Sequence, residues 1–225
     1  MARLPALIDA LTAVDGRPRK AVDHVAREVR EEGLIQTSGR GRAAAHMTAV
    51  DAAYLIIGLY AAATPGEAKA AARELSTLKG FWLGIKPAEL RPLKTAPDLV
   101  HTIAALIELA PLIAPSIGLS EPALDSGSIG PMHPEVGYAV HLLFHRPKRS
   151  VQLRLARRDR KRDIWDREVI EVMFDGPGQS NEQAAVETVT RVTGPVFRAA
   201  YDVLFHNERA YRGVTPGHKA SARAG

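Results

Sequence analysis

Residues 33–48, GLIQTSGRGRAAAHMT, set Arg40 and Arg42 beside Gly39 and Gly41 and contain no acidic residue. Arginine presents five donors in a planar fork that matches a phosphate or the O6/N7 edge of guanine. Glycine has no Cβ, so backbone on either side of it can follow a neighbouring surface closely. Thr37 and Ser38 add two hydroxyls just ahead. The chemistry is that of a small cationic finger, with Arg40 and Arg42 suited to phosphate or minor-groove contact. A plain surface turn carrying two arginines has the same letters, and the lack of acid favours nucleic acid.

The segment just upstream supplies the second half of such a surface. Val22, Val25, Ala26 and Val29 recur at helical spacing over residues 19–32. With those four turned inward, Arg19, Lys20, Asp23, His24, Arg27 and Arg30 face outward. That is the arrangement a recognition helix needs, one face held by a core and the other offered to the major groove. A second basic run, Arg157, Arg158, Arg160, Lys161 and Arg162, is expected in the turn after a strand formed by Val151, Leu153 and Leu155. It would track phosphates and add salt-dependent affinity without reading sequence. A solvated hairpin explains the same charge, because basic residues at a sheet edge discourage strand-to-strand aggregation. Trp165 is expected to pack at that hairpin end.

Other chemistry finds little support. Gly39 and Gly41 lack both the Lys-Ser/Thr of a phosphate-binding loop and the third glycine of a dinucleotide site. His141 and His145 would share a strand face, but no carboxylate cluster accompanies them, so an exposed sheet face is the better reading than a metal site. His101 reads as a core or boundary histidine. Glu168 and Glu171 point to opposite faces of their strand and make no acid–base pair. No serine has a Gly-x-Ser-x-Gly setting. No enzymatic activity, cofactor or metal is expected.

These residues need elements to position them. Leu4, Leu7, Ile8, Leu11 and Val14 predict a first helix, ended by Asp15-Gly16-Arg17-Pro18, and Gly33 is a natural C-cap for the second. Leu34 and Ile35 predict an extended segment, His46 and Met47 a returning strand, and Thr48 an N-cap for an apolar helix over residues 49–62. Thr64 and Pro65 open an alanine-rich helix to about Leu78. Prolines at 87, 92 and 97 mark residues 79–97 as a connection, with Phe81 and Trp82 as anchors onto a core. An apolar helix is expected over 97–113, then a Gly/Pro/Ser-rich linker over 114–135. Three alternating runs, around 138–145, 151–155 and 169–174, predict an antiparallel meander. A last helix over 181–206, kinked at Gly194-Pro195, would bury Ala185, Val189, Val192, Val196 and Val203. The final dozen residues read as a flexible tail.

A helix ending in Gly-Leu-Ile, a basic glycine-containing loop, a short strand and a Thr-initiated helix together resemble the recognition helix and wing of winged helix-turn-helix proteins such as the MarR family. The match covers residues 4–62. It implies that residues 19–32 read the major groove and that the loop is a wing carrying an arginine. The run Arg-Gly-Arg…His-Met-Thr-x-x-Asp-Ala-Ala is also similar to uncharacterised prophage proteins of alphaproteobacteria, which implies a phage-type regulator or packaging component.

Length and composition bound the rest. At 225 residues, 46% hydrophobic and 24% charged, the chain suits one substantial domain or two small ones. It has no cysteine, which excludes disulfides, thiol catalysis and cysteine-based zinc sites. The net charge of +5 is unevenly spread: residues 145–167 hold ten Lys/Arg against three Asp, leaving the rest slightly acidic. No charged-then-apolar leader opens the chain, and the most apolar stretch is interrupted by His101, Glu108, Pro111 and Pro115, so no membrane span and a cytoplasmic location are expected. The fold class is α+β: a winged helix-turn-helix-like unit (1–63), a helical extension (64–113), a linker (114–135), a three-stranded antiparallel sheet with a packing helix (136–206) and a tail (207–225). The expected function is sequence-specific binding of double-stranded DNA as a transcriptional regulator of phage or prophage type. The C-terminal unit is expected to oligomerise, to contact a partner such as RNA polymerase or a phage assembly protein, or to add phosphate contacts. The alternative is a phage packaging or assembly protein that uses its basic hairpin non-specifically on DNA or protein.

Overall fold

In a computed structural model, residues 2–36, 45–85, 88–116, 138–147, 149–159, 164–176 and 187–205 are described. Helix α1 (Leu4–Asp15) ends at Gly16, whose φ of 76° is the left-handed conformation glycine accepts most readily, and Gly16 N–H returns to the Thr12 carbonyl. Pro18 then stands just ahead of α2 (Arg19–Glu31). The buried face of α2 is Val22, Val25, Ala26 and Val29, as the spacing predicts. A third helix, α3 (Ala49–Ala61), is apolar nearly all round and largely buried. A single turn of 3-10 helix (Pro65–Glu67) leads into α4 (Ala68–Ser76). Thr64 makes no side-chain cap there, and Pro65 does open the turn.

Residues 79–97 are not merely a connection. Strand β1 (Gly80–Ile85) lies within them, followed by the short α5 (Arg91–Thr95). The expected 97–113 helix is α6 (Leu99–Glu108), broken at Leu109 into a 3-10 turn (Ala110–Leu112) and the four-residue α7 (Ile113–Ser116). Pro111 has no N–H to continue the ladder, which accounts for the break. Asp98 caps α6 by accepting from the His101 N–H at 3.0 Å. His101 itself stands exposed on α6 with its Nδ1 2.6 Å from Asp98, rather than at a core boundary.

Among the described residues the sheet has five antiparallel strands, not three. Its order is β1-β4-β3-β2-β5, with β2 (Tyr138–Arg146), β3 (Ser150–Asp159), β4 (Ile164–Phe174) and β5 (Thr188–Thr193). The meander β2-β3-β4 is the part that alternation predicts. Both edges are additions: β1 pairs with β4 (Gly80 opposite Phe174, Trp82 opposite Val172), and β5 pairs with β2 (Val192 opposite Leu142). The expected 181–206 helix therefore contains a strand, β5, while its residues 181–186, Ala185 among them, lie outside the described residues. Among the described residues its helical part is α8 (Gly194–Phe205), with Gly194 and Pro195 as its first residues rather than a kink in its middle. Val189 is accordingly exposed, while Val192, Val196 and Val203 are buried.

One face of the sheet is covered. Val140, Leu142, Phe144, Val151, Leu153, Leu155, Ile170, Val172 and Phe174 are buried on it, at the strand period of two. Helices α3 and α8 pack against β2 and β5, α6 packs on α3 and α8, and α1 packs on α8. The buried side chains form one contiguous cluster from Ala2 to Leu204, shared by helices and sheet. Helix α2 adds its buried face to the rim of this core, packing on α1, α3 and α4 as the outer layer of the helical side. The contact of α2 with α3 is close at Gly58, where a Cβ would sit 2.7 Å from Val29 Cγ2 and 3.3 Å from Val25 Cγ1. Phe81, expected as an anchor, is 69% exposed on the open face of β1, whereas its neighbour Trp82 packs against the core. Among the described residues no helix is long and apolar enough to cross a membrane.

Candidate nucleic-acid interface

The turn before α2 is fastened by Arg17. Its guanidinium is paired with Asp15, donates to the Leu59 carbonyl at 2.7 Å and lies 4.8 Å from the centre of the Tyr60 ring. Burial works against the Arg17 charge, but the hydrogen bond and charge of Asp15 outweigh it, so its pKa is raised. The first two helices are thereby tied to the end of α3, and α2 starts from a fixed point.

At its other end α2 finishes in a Schellman turn. Gly33 takes φ 80°, its N–H reaches the Arg30 carbonyl at 2.9 Å, and the Leu34 N–H reaches Val29 at 3.3 Å. Leu34, Ile35 and Gln36 then run out without helical or strand pairing, with Ile35 buried. Residues 45–48 return without forming the expected strand; the Met47 N–H donates instead to the Ala2 carbonyl at 2.9 Å.

What joins these two segments is Asp51, only 2% exposed. Its Oδ1 accepts the Gln36 N–H at 2.9 Å, and its Oδ2 accepts both the Thr48 N–H and the Thr48 hydroxyl at 2.8 Å. Thr48 Oγ1 in turn accepts the Asp51 N–H at 3.2 Å, completing a capping box at the start of α3. A carboxylate in the first helical turn is also favoured by the helix dipole. One buried side chain thus clasps both roots of the segment that carries Thr37, Ser38, Arg40 and Arg42. Those four residues lie outside the described residues. Thr48 was legible as a cap in the sequence. Asp51 was the unread half of the same signal, because Thr-x-x-Asp before an apolar run has capping-box spacing.

On α2 the predicted residues stand where the spacing puts them. Arg19, Lys20, His24, Arg27 and Arg30 are all exposed. The helix is not uniformly basic, and its acids are sorted. Glu28 and Glu32 lie on the flank toward α4 and meet cations there, Lys69 at 3.4 Å from Glu28 and Arg73 at 2.8 Å from Glu32. The opposite flank holds Arg19, 2.5 Å from Asp9, and Arg30, which has no ion-pair partner among the described residues. Arg27 is 3.9 Å from Asp23, and His24 is 3.6 Å from Glu28, both loose exposed contacts of small energetic weight. Lys20, like Arg30, has no ion-pair partner among the described residues, while Glu31 is exposed between the basic positions.

The second basic run is placed differently from the expectation. Strand β3 extends to Asp159, so Arg157 and Arg158 belong to the ladder, opposite Asp166 and Trp165, and not to a turn. Arg160, Lys161 and Arg162 lie outside the described residues. His141 and His145 do share one face of β2, the face turned away from the helices, where both are partly buried, and among the described residues no cluster of His, Cys, Asp and Glu is arranged to hold a metal ion. Comparison with family models, with curated proteins and with solved structures returns no match to this chain.

Proposed function

We propose that this protein binds double-stranded DNA sequence-specifically, as a transcriptional regulator of phage or prophage type. In this reading the outward face of α2 enters the major groove, with Arg27, Lys20 and His24 foremost, and Arg40 and Arg42 hold the flank in the manner of a wing. The observation that carries the proposal is the Asp51 clasp. It fixes both roots of an acid-free, arginine-bearing segment at the C-terminal end of an exposed helix, two of whose acids, Glu28 and Glu32, are matched by α4. Two-fold operators would call for a dimer, and RNA polymerase would be a further partner of a regulator.

The experiment is selection of bound fragments from random duplex DNA over a salt series, followed by sequencing. Wild type is expected to enrich one short motif, with a log–log salt slope of about −4 if four or so phosphates are neutralised. The Arg40→Ala/Arg42→Ala double variant is expected to lose flanking selection and about two units of slope. Arg27→Ala is expected to lose the motif while retaining non-specific binding. Binding without any motif, unchanged in these variants, would instead fit a packaging or assembly role for the basic run from Arg157 to Arg162. No binding at low salt would end both readings.

A further inference from the structure

A cleft of about 480 Å³ opens between the end of α3, the length of α4 and the edge where β2 meets β5. That volume is within the range of small-molecule sites, about 300–1,000 Å³. One wall is methyl groups: Ala61 and Ala62 from α3, Ala70 and Ala71 from α4, backed by Leu75. The facing wall is the end of β2, with Phe144 buried and Arg146 beyond it. Arg146 has the same strand parity as Val140, Leu142 and Phe144, so it stands on the helix-covered side of the sheet.

A guanidinium in that position needs acceptors, because all five of its polar hydrogens are donors. Arg146 has one hydrogen bond among the described residues, from an Nη to Thr190 Oγ1 at 3.3 Å, and its buried Nε has none. No carboxylate pairs with it among the described residues. The other arginine on the cleft is already matched, Arg149 being paired with Glu74 from α4.

We propose that this cleft binds a small amphiphilic monoanion. Its carboxylate would take the open donors of Arg146, and its apolar body would lie along the alanine wall of α3 and α4. A charge-assisted bond to a half-buried guanidinium supplies orientation, and displaced water along the methyl wall supplies affinity. A dianion such as a phosphate monoester is disfavoured, since Glu67 and Glu74 line the same cleft. The assignment does not depend on DNA binding.

Octanoate, octanol and octyl phosphate are the probes, titrated into the full chain by calorimetry and by amide-resonance shifts. Octanoate is expected to bind one per chain and saturably, at least about tenfold tighter than octanol, as a hydrogen bond to a charged group requires. Octyl phosphate is expected to bind more weakly than octanoate. Arg146→Gln is expected to bring octanoate down to the octanol level while octanol is unaffected. Ala71→Phe, which leaves Arg146 in place and fills the cleft from α4, is expected to abolish both. It also keeps the test decisive if Arg146→Gln fails to fold. Equal affinity for octanoate and octanol, no octanoate uptake, or wild-type octanoate affinity in either variant overturns the proposal.

Discussion

Removing the carboxylate of Asp51 gives the sharpest test of how the helical side is held. Three groups donate to it: the backbone N–H groups of Gln36 and Thr48 and the Thr48 hydroxyl, all at 2.8–2.9 Å. Hydrogen bonds to an ionised group contribute about 1.5–3 kcal/mol each, and buried donors left unpaired carry their own desolvation cost. The three share one carboxylate and do not add, so Asp51→Ala is expected to cost about 4 kcal/mol. That is a large part of the roughly 5–15 kcal/mol a domain has. Asp51→Asn keeps the shape and one acceptor, and its amide NH₂ must face a donor, so a loss of about 2 kcal/mol is expected. Thr48→Ala removes a helix cap and should cost about 1 kcal/mol. Urea unfolding at pH 7, with equal slopes checked across variants, reads all three. Because Thr48 and Asp51 bond each other in both directions, the Thr48→Ala/Asp51→Asn pair should fall short of additivity by about 1 kcal/mol. An Asp51→Asn variant within about 0.5 kcal/mol of wild type, or strict additivity of the pair, would refute the clasp.

Two further perturbations bear on other parts of the fold. Gly58→Ala should destabilise by about 1 kcal/mol in urea, although alanine is the better helix former by nearly that amount; its methyl would lie 2.7 Å from the stiff, buried Val29, and overpacking costs about 1–3 kcal/mol. A stabilised Gly58→Ala would mean that α2 and α3 do not cross there. On the open sheet face, burial lowers the His141 pKa below its ordinary value, and the positive charges of Arg191 and Arg154 lower it further. The fold thus favours the neutral ring, a contribution present above the unfolded value near 6.5 and lost as pH falls through the depressed folded value. Imidazole proton shifts should titrate below that value and move back up in Arg191→Gln; a midpoint at or above 6.5 in wild type contradicts the arrangement.

How much of this was legible depended on whether the signal was local. The inward face of α2 was, since four apolar residues at helical spacing need only one consistent partner surface, and Gly33 was placed by the single conformation its turn demands. The meander was readable because each strand pairs with its sequence neighbour. The two edge strands were not. Strand β1, GFWLGI, pairs with β4 some ninety residues later, and nothing near Gly80 in sequence announces that a Cβ there would meet Val172 and Phe174 at 2.8 Å. Strand β5 is hidden in the sequence for a different reason. Val189, Val192 and Val196 satisfy a helical period, and only the β-branched run Thr-Val-Thr-Arg-Val-Thr argued otherwise. Once Pro195 is taken as an early helical residue and not an interior one, the strand must end before it.

The candidate site divides along the same line. Which residues of α2 face outward followed from periodicity; how their charge is distributed did not. Glu28 of α2 and Glu32, its C-cap, would, taken alone, weaken the attraction of this helix for a polyanion. They meet Lys69 and Arg73 because α4 lies beside α2 in the fold, some forty residues on in the chain. Their neutralisation leaves Arg19, Lys20, Arg27 and Arg30 to set the potential of the far flank, with Asp9, Asp23 and Glu31 as the opposing charges. The electrostatic worth of α2 toward DNA is therefore partly a property of α4. Removing Lys69 and Arg73 together should weaken binding although neither residue need touch a phosphate, and the effect should shrink as salt shortens the Debye length from about 10 Å at 0.1 M. A loss that did not depend on salt would mean that α4 positions α2 sterically and leaves its potential unchanged.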